Sequence, residues 1–168
     1  MDIRSSLTAD SSFAKGNAYF LGGALGEEWQ GVMQAAFGCY EDAALNNHPA
    51  AQCSLGIMYK YGEGVPQSDE LAAAWLEQAV EGGNSSARAQ LAELYHKSTV
   101  VSSIEKALLL YEELAAEGSA SALYNLGNIY LYGKSSVEKS RAVALDYSSR
   151  ASRMGHICSP IRLANFCY

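Results

Sequence analysis

The residues best suited to chemistry in this sequence are three histidines, four cysteines and two adjacent pairs of glutamates. His156 and Cys158 are of the types that bind zinc, but two further ligands at a suitable spacing are absent. His48 precedes Pro49 in a predicted turn, and His96 lies at the end of a predicted helix. We therefore expect all three histidines to be solvated or to cap helices, and we expect no metal site.

The glutamate pairs at residues 27–28 and 112–113 do not suit general acid–base catalysis. Adjacent residues on a helix point roughly 100° apart, so each pair is expected to lie on a solvated helix face. The segment Gly62-Glu63-Gly64 lacks the third glycine and the preceding strand of a nucleotide-binding loop. We interpret it as a turn in which glycine supplies positive φ. With no nucleophile–base pair and no metal cluster, the sequence predicts a protein that is not an enzyme and has no cofactor.

Four cysteines in 168 residues are too few for a disulfide scaffold, so reduced thiols in a cytoplasmic protein are expected. Whether Cys39 pairs with Cys53, or Cys158 with Cys167, stays open at this point. The N-terminus has no basic segment followed by an apolar core, which favours the cytoplasm. A periplasmic location also stays open, because a signal peptide could have been removed.

Composition excludes several classes of protein. Apolar residues make up 49% of the chain and charged residues 18%, which argues against wholesale disorder. The net charge of −6 argues against a protein that coats nucleic acid. No stretch approaches eighteen consecutive apolar residues, so no membrane insertion is expected.

The elements that must position any functional residue are internal repeats. The pattern Ala-x-x-x-Leu-small-x-apolar-Tyr occurs at residues 51–59, 87–95 and 122–130. A second pattern, an aromatic residue with a small residue four positions later and then a glycine, occurs at residues 75–82, 111–118 and 147–155. Both have helical spacing, so each unit is predicted to be a pair of antiparallel helices that must stack on its neighbours to form a core. Gly56, Ala92 and Gly127 lie beside the apolar stripe, where we expect close approach of the neighbouring helix.

The pattern fades at both ends of the chain, as expected where a repeat array must be capped. Leu21-Gly22 precedes Leu55-Gly56 by 34 residues, and a second helix is expected from Ala35 to Leu45. We predict one domain over residues 1–168. Its parts are a degenerate unit at about 17–50, repeats at about 51–86, 87–121 and 122–157, and a capping helix at 158–168.

The best-marked unit resembles the Sel1-like repeat, a relative of the tetratricopeptide repeat. The residues that carry this resemblance are Ala51, Leu55-Gly56, Tyr59, Gly62, Gly64-Val65, Asp69, Trp75, Ala79 and Glu81-Gly82. The resemblance implies an all-α fold, a right-handed superhelix (solenoid) of helix pairs whose first helices line a concave face. It also implies a non-catalytic adaptor, scaffold or inhibitory partner.

By the same resemblance, four positions on each first helix point into the concave face. Two of these twelve positions are Cys53 and Ala89, and the other ten are the candidate protein-binding residues: Ile57, Lys60, Tyr61, Glu93, His96, Lys97, Tyr124, Asn128, Leu131 and Tyr132. Spare tyrosines mixed with Lys, His and Asn are typical of a protein-recognition surface. For Tyr124, packing under a neighbouring unit is an equal alternative.

The leading hypothesis is therefore a non-catalytic module that binds a protein partner on its concave face. A concrete subtype is an inhibitory partner, such as an immunity protein that neutralises a bacterial toxin or effector. The alternative is a scaffold or adaptor for a signalling, secretion or envelope assembly. The sequence leaves the partner's identity and the oligomeric state open.

Overall fold

Helices form wherever the repeats place apolar residues at helical spacing. The computed structural model describes residues 3–23, 29–101, 103–134 and 137–155, and these residues contain eight α-helices and no strand. The helices are α1 (Ile3–Gly23), α2 (Trp29–Leu45), α3 (Pro49–Tyr61), α4 (Asp69–Glu81), α5 (Ser85–Lys97), α6 (Ile104–Ala116), α7 (Ala120–Tyr132) and α8 (Arg141–Arg153). The predicted all-α repeat fold is confirmed.

Six consecutive helices begin at a side chain that accepts a hydrogen bond from the first turn. These N-cap residues are His48, Ser68, Asn84, Ser103, Ser119 and Ser140. In each case the side chain accepts from the backbone N–H three positions later, which satisfies one of the otherwise unpaired donors of the helix. Local sequence thus determines where α3 to α8 begin.

The chain divides into two compact units, Met1–Val101 and Ser102–Tyr168. In the first unit, α1 packs on α2 and α3 packs on α4, while α2–α3 and α4–α5 contacts join these pairs. Its core includes Ala36, Tyr40, Ala43, Leu55 and Met58, all at most 3% exposed. Small alanines alternate with large side chains there, so the helices pack closely.

In the second unit, α7 packs on both α6 and α8. Leu123, Leu126 and Ile129 of α7 are almost completely buried, and Ala144 of α8 has no exposed surface. Tyr130 of α7 also stacks on Tyr147 of α8, with ring centroids 5.8 Å apart. The apolar stripe of the repeat pattern is therefore the buried face of α7.

Close approach of paired helices explains the mid-helix glycines. A Cβ atom on Gly56 would lie 2.6 Å from Leu76 Cγ and 3.2 Å from the Ala72 carbonyl oxygen of α4. A Cβ atom on Gly127 would lie 2.9 Å from Ser148 Oγ of α8. The expectation that neighbouring helices occupy this space is confirmed at both positions.

The turn after α3 needs glycine for two separate reasons. Gly62 and Gly64 have φ of 72° and 73°, a left-handed conformation that side chains disfavour, which confirms the predicted turn. A Cβ atom on Gly64 would also lie 2.8 Å from Met33 Cβ of α2. The turn is thereby seated against the preceding helix pair.

The N-terminal helix begins earlier than the repeat pattern predicts. Helix α1 begins at Ile3, well before residue 17, because Ala9 and Gly16 are buried and Phe13 packs on the core without any repeat motif. The expected capping helix at 158–168 lies outside the described residues.

Candidate functional site

The ten predicted protein-binding residues lie on three first helices. Ile57, Lys60 and Tyr61 are on α3, and the predicted residues 93, 96 and 97 are on α5; both helices belong to the first unit. The remaining four, at 124, 128, 131 and 132, are on α7 in the second unit.

An ion-pair network joins α3 to α5. Lys60 Nζ donates to Glu93 Oε2 at 2.6 Å and to Gln90 Oε1 at 3.0 Å. Lys97 Nζ lies 2.5 Å from the other carboxylate oxygen of Glu93. The Lys60 side chain is only 10% exposed, whereas that of Lys97 is 66% exposed. Lys60 and Glu93 thus fasten two neighbouring repeats, and Lys97 is the most accessible charge of the network.

Burial and two neighbouring lysines act in opposite directions on the pKa of the Glu93 carboxyl. Burial by itself raises the pKa of the Glu93 carboxyl, but hydrogen bonds and charge from Lys60 and Lys97 lower it below its ordinary value. The carboxylate is therefore ionised at neutral pH, and the network holds from neutral into mildly acidic solution.

Tyr61 and Tyr132 occupy equivalent, exposed positions in two repeats. Tyr61 is the last residue of α3 and 56% exposed, and Tyr132 is the last residue of α7 and 57% exposed. A glycine with positive φ follows each of them, Gly62 at 72° and Gly133 at 67°. Lys60 Nζ lies 5.1 Å from the centroid of the Tyr61 ring, within the range of a cation–π interaction. Both rings are large, partly apolar surfaces that a partner can cover.

The other predicted residues are less accessible. Ile57 and His96 in the first unit are partly buried, as are Tyr124, Asn128 and Leu131 in the second. Each of these residues thus offers a partner only part of its surface. Tyr61, Lys97 and Tyr132 are therefore the members of the predicted set with the largest free surface.

A cavity that the sequence does not predict opens beside Ile57. It has a volume of about 170 Å³ and is lined by Phe20, Tyr40, Ser54, Ile57, Met58 and Glu63. We call it the Ile57 cavity. Phe20 and Tyr40 come from α1 and α2, where the repeat motif is weak. Alignment of the repeats therefore could not identify these two residues as part of a site.

Hydrogen bonds within the protein engage two of the polar groups at this cavity. The Tyr40 hydroxyl donates to Asn17 Oδ1 at 2.9 Å, and the Ser54 hydroxyl donates to the Ala50 carbonyl oxygen at 3.1 Å. Burial raises the pKa of the Tyr40 phenol, which is consequently neutral at physiological pH. The cavity is therefore mainly apolar, with Glu63 as its charged group.

The residues considered for chemistry have other roles where the structure describes them. His48 caps α3, because its Nδ1 accepts from the Ala51 N–H at 3.2 Å, and its Nε2 lies 3.2 Å from Asp10 Oδ1. Cys39 and Cys53 are free thiols, and burial raises the pKa of the Cys53 thiol, which reduces its reactivity. The predictions for His156, Cys158 and Cys167 lie outside the described residues.

Among residues with described positions, no three His, Cys, Asp or Glu side chains are grouped so that they could hold a metal ion. Within those ranges, no helix has both the length and the apolar character needed to cross a bilayer.

Comparison with known proteins gives a family match over most of the chain. The model of the family described as Sel1 repeat matches residues 49–84, 85–119 and 120–156. A crystal structure of a protective antigen present in uropathogenic Escherichia coli strains, described as displaying an SLR fold, is similar at a TM-score of 0.74 and 26% identity. A Sel1 repeat protein from Oxalobacter formigenes is similar at a TM-score of 0.70 and 25% identity.

These similarities cover different shares of the proteins compared. The two structural similarities span 88% and 89% of this chain, but only 31% of the E. coli protein and 58% of the O. formigenes protein. An uncharacterised protein of Neisseria meningitidis serogroup B is 28% identical over 113 residues, which are 67% of this chain and 23% of that protein. This chain thus corresponds to part of the length of each of these three proteins.

Proposed function

The chain belongs to the Sel1 repeat family, and on this basis we propose that it binds a protein partner through the exposed ends of its first helices. Members of this family generally mediate protein–protein interaction and are typically non-catalytic. The proposed contact set is the ten residues predicted on α3, α5 and α7. Within it, Tyr61, Lys97 and Tyr132 make the principal contacts.

The observation that carries this proposal is the exposure of Tyr61 and Tyr132. Each residue is more than half exposed, although both lie in helices whose opposite faces are buried. Tyrosine is enriched among the residues that contribute most to protein–protein binding, because its ring buries a large area and its hydroxyl can bond.

A double substitution tests the proposal. Tyr61→Ala with Tyr132→Ala should abolish capture of the partner from the native host, while helical content and melting temperature stay nearly unchanged. Partners are identified by mass spectrometry after affinity capture on the unaltered chain. Tyr19→Ala is the matched control, because Tyr19 is 47% exposed on α1 and lies outside the proposed contact set. A double variant that captures the same partner equally well would contradict the proposed surface.

The finer proposal is that the chain inhibits its partner, as an immunity protein inhibits a bacterial toxin or effector. A net charge of −6 supports this proposal, because an acidic protein attracts a basic partner and accelerates their encounter. Co-expression with a toxin encoded beside the gene in the native genome should restore growth, and the double tyrosine variant should not.

A scaffold or adaptor role is the alternative. The spread of the candidate residues over three first helices favours it, since repeat arrays offer extended surfaces with room for several partners. An adaptor should capture two or more proteins together, and it should leave the activity of each unchanged. An inhibitor should capture one protein and lower its activity.

A further inference from the structure

The Ile57 cavity offers more specific chemistry than the exposed tyrosines do. It lies among α1, α2 and α3, all within the first unit, and the turn after α3 contributes Glu63. Phe20, Ile57 and Met58 present apolar surface, whereas the hydroxyls of Tyr40 and Ser54 are hydrogen-bonded within the protein. The cavity is therefore suited to an apolar group.

Its size suits a single side chain. An apolar cavity of roughly 150 Å³ in a folded protein holds one benzene ring. The Ile57 cavity, at about 170 Å³, thus has room for one leucine, isoleucine, methionine or phenylalanine side chain. A cavity of this volume is too small for two large residues or for a drug-sized ligand.

The charge around the cavity favours a basic residue next to that side chain in the bound segment. Glu63 alone is charged among the described residues that line the cavity, and it makes no ion pair with any residue that the structure describes. Lys60, the nearest basic residue along α3, is already bound to Glu93 and Gln90. Residues 1–101 carry 12 acidic and 5 basic side chains, so the surrounding potential is negative. A cationic group is therefore favoured at the rim.

We propose that the Ile57 cavity binds one large apolar side chain of a partner segment, and that a lysine or arginine next to it in that segment pairs with Glu63. The inference rests on the proposed function, because it names the chemistry of the protein segment that the module recognises. The apolar side chain supplies the buried contact, and the basic residue fixes the direction and register of the segment.

A displayed library of random dodecapeptides is the probe, and the full chain is the target. The selected peptides should share a large apolar residue followed or preceded by Lys or Arg. In synthetic copies of these peptides, replacing the basic residue with Glu should weaken binding about tenfold, as loss of a partly buried charge pair does. Fluorescence anisotropy measures the affinities.

Two variants of the protein separate the charge from the cavity. Glu63→Lys should reverse the preference, so that peptides with Glu at the basic position bind better than the originals. Glu81→Lys makes the same change in net charge at an exposed position on α4 and should leave the preference unaltered. Ser54→Leu fills the cavity and should lower the affinity of all selected peptides about tenfold. Its control is Ser86→Leu, at an exposed position on α5.

The outcomes distinguish this inference from the proposed function. Reversal by Glu63→Lys together with loss in Ser54→Leu supports it, provided that melting curves show both variants folded. Peptides that bind both variants unchanged would overturn it, as would a library that yields no apolar–basic pair. Either negative result leaves the wider proposal to the Tyr61 and Tyr132 capture experiment, which does not involve the cavity.

Discussion

Lys60 and Tyr61 are adjacent in the sequence but differ in their contacts and in their exposure to solvent. The Lys60 side chain is nearly buried and binds Glu93 of the next first helix, whereas Tyr61 is more than half exposed. A residue's position within the repeat therefore predicts the side of the helix on which it lies, but does not predict what it contacts. That contact depends on the residue at the facing position one repeat later.

At the residue scale, the Lys60–Glu93 pair should give pH-dependent stability. The folded pKa of Glu93 is lowered from its ordinary value of 4.5, so the pair stabilises the fold above that value and the contribution is lost as the pH falls through the lower folded pKa. In a double-mutant cycle with Lys60→Met and Glu93→Gln, the coupling free energy should be about 1 kcal/mol or less at pH 7.

Urea denaturation at pH 7 and at strongly acidic pH measures this coupling. It should approach zero in acid, where Glu93 is protonated in both the folded and the unfolded chain. Equal coupling at the two pH values would show that the carboxylate charge does not stabilise the contact.

At the scale of elements, the mid-helix glycines bring the paired helices into close contact. A Cβ atom on Gly127 would meet Ser148 Oγ at 2.9 Å and the Ala144 carbonyl oxygen at 3.3 Å. The side-chain atom can rotate away from a small intruder, but the backbone atom cannot. A large side chain at this position must therefore separate α7 from α8.

Gly127→Leu should destabilise the protein by about 1–3 kcal/mol, the usual cost of overpacking. Gly38→Leu is the matched control, because a Cβ atom there meets nothing within 4 Å. Since Gly38 lies inside α2, that variant should gain about 0.5–1 kcal/mol from helix propensity. Thermal and urea unfolding measure both. If Gly127→Leu unfolds like the parent chain, the close approach of α7 and α8 does not constrain stability.

Helical spacing and glycine positions made much of the fold predictable from sequence. The helix pairs, the close contacts at Gly56 and Gly127, and the glycine turn at Gly62 all follow from local patterns that repeat. The early start of α1 was not predictable, because Phe13 and Gly16 pack there without a repeated motif. The Ile57 cavity also escaped prediction, since it depends on side chains that come from three different helices.

At the scale of the whole molecule, charge is distributed unevenly. Residues 1–101 carry seven more acidic than basic side chains, although the net charge of the full chain is −6. A partner with a basic surface should therefore be attracted before contact, over the roughly 8–10 Å range that physiological salt allows.

Encounter with the captured partner should consequently depend on salt. Raising the ionic strength from about 0.05 M to about 0.5 M should lower the association rate constant about tenfold, with little change in the dissociation rate constant. Stopped-flow mixing measures both constants. Neutralising two exposed carboxylates by Glu41→Gln and Asp42→Asn should make the association rate constant less dependent on salt. An association rate that is indifferent to salt would mean that the acidic surface does not guide the partner.

The N-cap side chains that begin α3 to α8 have a consequence for how such chains lengthen. Three of them, His48, Asn84 and Ser119, immediately precede the matched repeats of 36, 35 and 37 residues, and the other three lie inside those repeats. A gene duplication that copies one whole repeat together with the N-cap residue before it therefore carries the start signals of both helices of that repeat. Array length can grow or shrink by whole repeats without new signals having to evolve, and relatives of very different length are the expected products of that process.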